Sequence, residues 1–384
     1  MPRAIWTNGL SWDSPHQLGG HHYARLLVER GWDVAFVANP VSPFHLGKRS
    51  TRRGNCERIK LWKAGWQRDL DGRLIYYTPM TLWPHASTSP FSGRGSLDNW
   101  HRWTVPSLRR KLEAEGFIEP DLMAMDSVLP ASWISMARPR KTVFRVADDI
   151  AGFSGTTDAM IQRERELVSE VDCVVYTAKP LEDRLRQCHP QQMTYLPNGV
   201  DCDHFTRPAE APIEYQNIPA PRAVYVGAIA DWFDVELVES TARRLPDVSF
   251  VIIGRADANV SRLEGIDNVY LLGRKPYEQV PSFMQHAQVG LIPFRVSPLV
   301  HAVNPIKLYE YFAAGIPVVS VAWDELQNIA SPARLTADAD SFADAVQRSI
   351  DETTNGDAFR AFARQSDWRC RFDRLLEAVG LADA

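Results

Sequence analysis

Short apolar runs alternate with amphipathic stretches along the first half of the chain. Ala4–Asn8 reads as a buried strand, a helix follows from about His21 to Arg30, and Val34–Ala38 reads as the next strand. This order predicts a βαβ unit, the building block of a doubly wound parallel sheet. Further strands are predicted in this half at Leu74–Thr78, Asp121–Ala124, Thr142–Val146 and Cys173–Thr177.

The same alternation restarts in the second half. Strands are predicted at Ala223–Ile229, Val248–Gly254, Val269–Gly273, Val289–Pro293 and Pro317–Val321. Helices are predicted between them at Val235–Arg244, Tyr277–Ala287 and Asn304–Ala314, and more helices follow from about Ser341. The repeated pattern predicts an α/β protein with two Rossmann-like domains that face each other across a cleft.

The length agrees with two domains, because 384 residues exceed what one hydrophobic core usually supports. Prolines cluster where the pattern pauses, so we predict an N-terminal domain at 1–200, a linker at 201–221 and a C-terminal domain at 222–355. A long helix in 356–384 is expected to cross back to the first domain. Residues 79–106 are predicted as a long surface loop that serves as a lid or contacts an acceptor.

The segment from Asn304 to Ser320 carries the strongest chemical signal. Asn304 suits a helix N-cap, and Gly315 suits the left-handed residue that ends the helix. Lys307 falls in the first turn, where the helix dipole disfavours a cation unless an anion such as a diphosphate is bound there. Glu310 lies on the same face one turn later, where a carboxylate can accept both hydroxyls of a ribose. The alternative is an ordinary amphipathic helix whose Lys and Glu are solvated.

Acidic residues follow one strand of the first half directly. Asp148 and Asp149 come just after Thr142–Val146, and ligand sites of parallel sheets gather at such strand ends. A carboxylate there is suited to act as a general base on an incoming hydroxyl, and an adjacent acid raises its pKa if both face one cavity. The alternative is that these acids stabilise the start of the next helix.

Glycines and histidines open the first helix. Gly19 and Gly20 allow backbone amides to approach a substrate or phosphate, although turns use glycine routinely. His21 and His22 stand at the helix start, where either one would reach a sugar or serve only the packing. No G-x-G-x-x-G motif is present, so a nicotinamide cofactor has little support.

The segment 304–320 resembles the donor-binding helix of GT-B glycosyltransferases, with Glu310 at the second of two glutamates that many retaining members carry. The first glutamate would fall at Ala302. The resemblance implies that the turn at Gly227 approaches the donor diphosphate or sugar, and that Arg255 borders the cleft. It also implies that the loop of Gly273, Arg274 and Lys275 reads the base or assists with phosphate. No essential metal is implied, and no separate cofactor is expected.

Residues 145–150 and the strand after Asp172 resemble the xanthan glucuronosyltransferase family. The acid that matches Asp148 is the base of an inverting reaction there, so the resemblance implies Asp148 as the base in this chain. The missing acid at Ala302 favours an inverting transfer as well.

Charge is distributed unevenly. Residues 1–200 carry a net charge of +5 and the remainder −9, so the overall value of −4 hides a basic first half. Residues 48–68 hold eight Lys or Arg with Trp62 and Trp66 among them. Basic residues with tryptophans suit an anionic membrane surface, and the alternative is a solvated loop. Nucleic acid is not expected as a partner, because the rest of the chain is acidic.

Compartment signals favour the cytoplasm. The N-terminus lacks a signal-peptide core, and the five scattered cysteines predict neither a metal site nor a disulfide framework. We therefore expect a cytoplasmic protein, peripheral on the inner face of the cytoplasmic membrane if residues 48–68 bind lipid.

The expected activity is transfer of a hexosyl or glycuronosyl group from a nucleotide-diphosphate sugar, favoured as a UDP-sugar, to a glycan or lipid-linked acceptor of cell-surface polysaccharide synthesis. Two alternatives stay open. One is a nucleotide-sugar epimerase or hydrolase on the same fold, and the other is a non-catalytic nucleotide-sugar-binding subunit.

Overall fold

The chain folds into two compact units in a computed structural model that describes residues 1–47, 52–352 and 355–382. The first unit contains residues 1–197 together with 372–384, and the second contains residues 198–371. Each unit is built around a parallel β-sheet with helices between successive strands. The predicted α/β class with two Rossmann-like halves is therefore confirmed.

The sheet of the first unit has eight strands in the order β3-β4-β2-β1-β5-β6-β7-β8. All neighbours pair in parallel except β3 and β4, which are antiparallel. The central strands are apolar along almost their whole length, as expected when helices cover both faces. The strands are β1 (Arg3–Asn8), β2 (Asp33–Ala38), β3 (Gln67–Asp69), β4 (Leu74–Tyr77), β5 (Leu122–Met125), β6 (Lys141–Val146), β7 (Cys173–Tyr176) and β8 (Met193–Tyr195).

The helices of the first unit vary in length, and several predicted loops contain short ones. Thr157 caps the long helix after β6 by accepting a hydrogen bond from the Met160 backbone N–H at 3.3 Å. The helices are α1 (Gly19–Glu29), α2 (Arg52–Ala64), α3 (Arg94–Asn99), α4 (Leu108–Ala114), α5 (Trp133–Ala137), α6 (Asp158–Glu170) and α7 (Glu182–Arg186).

The sheet of the second unit has six parallel strands in the order β11-β10-β9-β12-β13-β14. The order reverses at β9, so the strand ends on either side of it are where a ligand site is expected in such a sheet. The strands are β9 (Arg222–Val226), β10 (Ser249–Ile253), β11 (Val269–Gly273), β12 (Val289–Ile292), β13 (Val318–Val321) and β14 (Arg334–Thr336).

Helices cover the second sheet, and their local signals are clear. Asp234 accepts hydrogen bonds from the Glu236 and Leu237 backbone N–H groups, both at 3.1 Å, and so starts the helix over Val235–Arg244. The helices are α8 (Cys202–Thr206), α9 (Val235–Arg244), α10 (Val280–Gln285), α11 (Pro298–His301), α12 (Ile306–Ala314), α13 (Asp324–Asn328), α14 (Ala339–Asp351), α15 (Gly356–Gln365) and α16 (Trp368–Val379).

The structure differs from the sequence prediction in three connecting regions. Residues 201–221, predicted as a linker, belong to the second unit and contain α8. The predicted single helix at the C-terminus is two helices, α15 and α16, because the chain turns at Ser366 and the α16 residues from Phe372 onward belong to the first unit. The predicted loop at 79–106 contains α3 and a 3-10 helix at Trp100–Trp103.

Among the residues that the structure describes, no helix combines the length and the apolar character needed to cross a bilayer. The basic segment 48–68 forms α2 over most of its length, while Lys48 and Arg49 lie outside the described residues.

Candidate active site

The two acids after β6 have different surroundings. Asp149 Oδ1 accepts a hydrogen bond from the Ala151 backbone N–H at 3.1 Å and lies 3.8 Å from Arg184 Nη2. It therefore caps the 3-10 helix Ile150–Gly152, as the helix-start alternative proposed. Within the described part of the chain, no hydrogen bond engages the Asp148 carboxyl. Of the two acids, Asp148 is the one whose carboxyl does not serve as a helix cap.

The Asp148 carboxyl is set up to exchange a proton near neutral pH. Although part of the residue is accessible, protein atoms surround the carboxyl, and this burial raises its pKa from 3.8 to about 6. The positive charge of Arg145 opposes the shift and the negative charge of Asp149 adds to it. A carboxylate with a pKa slightly below the working pH is deprotonated and still basic enough to accept a proton.

A buried charge pair stands beside these acids, and the sequence reasoning did not identify it. Asp126 follows β5, and its Oδ1 lies 3.6 Å from Arg145 Nη1, with the two side chains only 7% and 6% exposed. Asp126 Oδ2 also accepts hydrogen bonds from Trp6 Nε1 at 3.0 Å and from Asn8 Nδ2 at 2.6 Å. Asp126, like Asp148, comes just after a predicted strand. That position could have identified it as a candidate from the sequence.

Gly20 fits closely against this charge pair. A Cβ atom at Gly20 would lie 2.2 Å from Asp126 Oδ2 and 2.6 Å from Asn8 Nδ2. No side chain fits there, so the glycine lets the start of α1 approach the ends of β1 and β5. The structure thus brings Gly20 to the same sheet edge as Asp148, and it buries Gly19 and His22 in the first turns of α1.

His21 is engaged with backbone on both sides of its ring. Its Nδ1 accepts the Leu18 N–H at 3.2 Å, and its Nε2 therefore carries the proton and donates to the Ser11 carbonyl at 2.9 Å. Burial lowers the pKa of His21 below 6.5, which keeps the ring neutral. These contacts hold the two ends of the loop that precedes α1. They favour a positioning part for His21, whose catalytic role stays a prediction.

Lowering the pH should reduce the free energy of unfolding, because the folded protein keeps His21 neutral. In the unfolded chain the imidazole binds a proton below about pH 6.5, whereas in the fold it does so only at lower pH, so the unfolded state takes up more protons as the pH falls. We expect His21→Leu to cost roughly 1–2 kcal/mol of stability at pH 7.5, because two backbone groups lose their partner. The gap in thermal midpoint between wild type and variant should shrink towards pH 5. A gap that stays constant over this range would contradict the argument.

In the second unit, Lys307 lies in the first turn of α12 next to the turn after β9. A Cβ atom at Gly227 would lie 3.1 Å from Lys307 Cε and 3.4 Å from Nζ, so the Gly227 turn and the lysine are neighbours. The ammonium lies 4.6 Å from the ring centroid of Phe294 and 5.4 Å from that of Tyr225. The aromatic faces fix the position of the charge beside a bare backbone turn.

The pair that the sequence predicted on α12, Lys307 and Glu310, has shifted pKa values at both residues. Burial lowers the pKa of Lys307 to about 8, and the negative charge of Glu310 opposes this. Burial raises the pKa of Glu310 to about 7, and the positive charge of Lys307 opposes that shift. Perturbed groups of opposite sign, one turn apart on a helix, are typical of a binding site for a polar ligand.

Asn304 does not cap α12, so this prediction is wrong. Helix α12 begins one residue later than the sequence predicted. Pro305 is at the N-cap position, and no side chain caps the first turn. Asn304 Oδ1 instead accepts from the Asn198 backbone N–H at 3.1 Å, and Asn304 Nδ2 donates to Glu325 Oε1 at 2.8 Å. This buried network holds the entry to α12 in place. The Leu308 N–H donates to the Pro305 carbonyl at 3.1 Å, and no side chain caps the two helical N–H groups before it. An anion at this helix start would bind those two groups.

Glycine turns line the same edge of the second sheet. A Cβ at Gly254 would lie 1.8 Å from the Gly227 carbonyl oxygen, so the turns after β9 and β10 touch through their backbones. The Gly254 N–H donates to the Gly273 carbonyl at 3.0 Å, which joins the end of β11 to the same edge. Gly273 has a φ of +64°, in the left-handed region that favours glycine.

Two of the three predicted cations of this edge have partners within the second unit. Arg255 makes a double contact with Asp257 Oδ2, at 3.0 Å from Nε and 2.7 Å from Nη2. Lys275 is ion-paired with Glu214 and lies 5.6 Å from the ring centroid of Phe283. Arg274 is exposed at the end of the β11 turn. The structure brings Gly227, Gly273 and Lys307 to one sheet edge. The donor-binding roles of the two arginines and of Lys275 stay predictions.

Two families match this chain in successive regions. Residues 8–177 match the family described as "Glucuronosyltransferase GumK, N-terminal domain", and residues 220–352 match "Glycosyl transferases group 1". The predicted resemblance of residues 145–150 and of the donor helix to these enzymes is therefore confirmed. The matches cover most of both units.

A curated relative is the "Putative teichuronic acid biosynthesis glycosyltransferase TuaH" of Bacillus subtilis (strain 168), which is 26% identical over 237 residues. The match covers 58% of this chain and 58% of that relative, so the chain spans a little over half of its length.

Solved structures share the fold over their whole length. Sucrose-phosphate synthase of Thermosynechococcus elongatus has a TM-score of 0.69 and 16% identity, with 98% of each chain covered. Anabaena HepE in complex with UDP and glucose has a TM-score of 0.68 and 12% identity, with 99% of this chain and 100% of that chain covered. At such identities the likeness shows the GT-B fold alone. Together with the family matches in both units, the chain is therefore similar to GT-B glycosyltransferases of bacterial polysaccharide synthesis.

Proposed function

We propose that this protein transfers a hexosyl or glycuronosyl group from a UDP-sugar to a glycan or lipid-linked acceptor of cell-surface polysaccharide synthesis, with inversion at the anomeric carbon. The observation that carries the proposal is the arrangement of Lys307 beside the Gly227 turn at the uncapped start of α12. A cation, helix N–H groups and a bare backbone turn together suit a diphosphate. HepE is known in complex with UDP-glucose, which supports UDP as the nucleotide.

The proposed roles in the second unit follow from charge. Lys307 and the helix dipole neutralise the charge that develops on the departing diphosphate, so the transfer is proposed to need no divalent metal. Glu310, one turn further along α12, accepts the ribose hydroxyls as a carboxylate. Its pKa of about 7 means that the carboxyl is about half ionised at neutral pH and fully ionised only in alkaline solution.

The proposed chemistry in the first unit is general-base catalysis. Asp148 accepts the proton of the acceptor hydroxyl while the hydroxyl oxygen bonds to the anomeric carbon and the bond from that carbon to UDP breaks. The Asp126–Arg145 pair supports this role through Arg145, whose charge limits how far burial raises the pKa of Asp148. The absence of an acid at Ala302 is consistent with a single-step, inverting transfer.

The acceptor and the location complete the proposal. TuaH is named for teichuronic acid biosynthesis, and polymers of that kind favour a glycan acceptor for this chain as well. We propose that the protein works on the inner face of the cytoplasmic membrane, bound to an anionic lipid surface, because the first half of the chain is basic while the second half is acidic.

A donor screen followed by product analysis tests the function. UDP-, GDP- and dTDP-sugars are compared by thermal shift, and the stabilising donor is then incubated with and without lipid-linked acceptors. We expect a UDP-sugar to raise the unfolding temperature and a product of inverted configuration to form only with acceptor. Release of free sugar without acceptor would indicate a hydrolase, and an isomerised donor an epimerase. Binding without turnover on any acceptor would indicate a binding subunit.

A further inference from the structure

Five of the large hydrophobic side chains that the first unit exposes lie in one region of its surface. Within the described residues, Phe44 is 59% exposed, Leu82 49%, Trp83 39%, Trp103 54% and Val105 43%. Scattered exposed hydrophobic residues are normal, but a joined group of this size usually marks an interaction surface.

Direct contacts join these residues, which we call the aromatic surface. The backbone N–H of Leu82 donates to the Trp103 carbonyl at 3.0 Å, and Val105 follows two residues later. The ring centroids of Trp83 and Phe91 are 4.9 Å apart, and those of Phe91 and Phe44 are 5.0 Å apart. The aromatic surface therefore comprises Phe44, Leu82, Trp83, Trp103 and Val105, with Phe91 between two of them.

Several basic residues lie near the aromatic surface. Residues 80–112 contain five Lys or Arg and one acidic residue, and Arg102 is exposed next to Trp103. Helix α2 adjoins this region, because Trp62 Nε1 donates to the Val105 carbonyl. Lys60 and Lys63 are exposed on the same helix. Exposed tryptophans with a basic border are typical of proteins that lie in the headgroup region of an anionic bilayer.

We propose that the aromatic surface inserts into the headgroup region of an anionic bilayer, with Lys60, Lys63 and Arg102 against the lipid phosphates. This deepens the proposed function, since it names the lipid-binding surface of an enzyme whose acceptor is lipid-linked. It also changes the sequence prediction, which placed membrane contact on residues 48–68 alone. Part of that segment contributes charge, and the apolar contact comes from Leu82 and Trp103, which the sequence assigned to a surface loop.

Vesicle flotation with matched variants tests the surface. We compare the full chain with Leu82→Ser/Trp103→Ser on vesicles of phosphatidylcholine alone and of phosphatidylcholine with phosphatidylglycerol. Ile213→Ser is the control, because Ile213 is 68% exposed in the second unit and lies outside the aromatic surface. We expect the wild type and the control to bind anionic vesicles in a salt-sensitive manner, since surface charge is screened over about 8–10 Å. The double variant should bind at least tenfold less.

The contrary outcomes are equally specific. Equal vesicle binding by the double variant and the wild type would overturn the proposal, as would no binding by the wild type. A concentration-dependent dimer that the double variant abolishes, without vesicle binding, would show that a second copy covers the surface. Turnover on a water-soluble acceptor analogue is measured in parallel. Turnover of the wild type tests the glycosyltransferase function, and unchanged UDP binding by the double variant, whose substitutions lie outside the proposed donor site, shows that it is folded. A failure of the glycosyltransferase function is thus seen separately from a failure of lipid binding.

Discussion

Asp148→Asn should reduce turnover by roughly two to four decades, the usual scale of general-base assistance, while donor affinity persists. Asparagine keeps the size of the side chain but cannot accept the proton of the acceptor hydroxyl. Donor affinity is expected to persist because the proposed diphosphate and ribose contacts come from Lys307 and Glu310. Steady-state turnover and donor binding by calorimetry are measured on the same preparation.

The neighbouring acid provides the matched control. Asp149→Asn retains an oxygen that can cap Ala151, so we expect this variant to keep most of its activity. If Asp149→Asn abolishes turnover and Asp148→Asn does not, the base has been assigned to the wrong acid. The product must also have the configuration opposite to that of the donor. A retained configuration would remove the inverting mechanism, whatever either aspartate does.

The pH profile gives an independent readout of the same residue. A base must be deprotonated to act, and the pKa of Asp148 is about 6. In the wild type, kcat/KM should therefore fall about tenfold per pH unit once the pH drops below that value. The residual activity of Asp148→Asn should lack this acidic limb. If kcat/KM of the variant fell at the same pH as that of the wild type, another group would be responsible for the fall.

Lys307→Ala should weaken donor binding roughly ten- to a hundred-fold, since a charge-assisted hydrogen bond to phosphate contributes about 1.5–3 kcal/mol. The loss should appear with UDP as well as with a UDP-sugar, because the proposed contact is to the diphosphate. Donor affinity of the wild type should also fall as the pH rises through about 8, the pKa at which half of the Lys307 side chains have lost their proton. Calorimetry at several pH values measures both effects.

Two comparisons make this result specific. Lys275→Ala removes a cation that Glu214 already pairs, so the loss of donor affinity should be smaller than for Lys307→Ala. Glu310→Ala should weaken UDP binding, through the ribose, but should leave the binding of inorganic diphosphate unchanged. Unchanged affinity for UDP-, GDP- and dTDP-sugars in both α12 variants would remove the donor-site hypothesis.

The sequence was sufficient to predict those helices and strands whose caps and apolar pattern lie within the element or next to it. Helix α9 was predicted with its observed bounds, because Asp234 caps it and its apolar residues follow a helical period. The strand β11 was likewise predicted in full. The start of α12 was not, because Asn304 is held by Asn198, which lies more than a hundred residues away in sequence. Contacts of that range leave no trace in a local pattern.

The residues of the candidate site likewise divide into those that the sequence could identify and those that only the fold brings together. Lys307 was identified from local features and Gly227 from the family resemblance, and the sheet topology brings them together. Asp148 was preferred to Asp149 only through the family resemblance, because both follow the same strand, and the structure adds that Asp149 serves as a cap. Asp126 and Arg145 were missed, since they are recognisable as a pair only once β5 and β6 are known to be neighbours.

The first unit is discontinuous along the chain, and this bears on how the protein is made. Phe372 lies 6.4 Å from Tyr23, measured between ring centroids, and Arg374 Nη2 donates to the Tyr195 carbonyl at 3.2 Å. A ribosome therefore releases the whole second unit before it delivers the residues that finish the first. A fragment that ends near residue 200 would lack a packing partner for α1, so separate expression of the first unit requires the α16 segment to be fused back or supplied as a peptide.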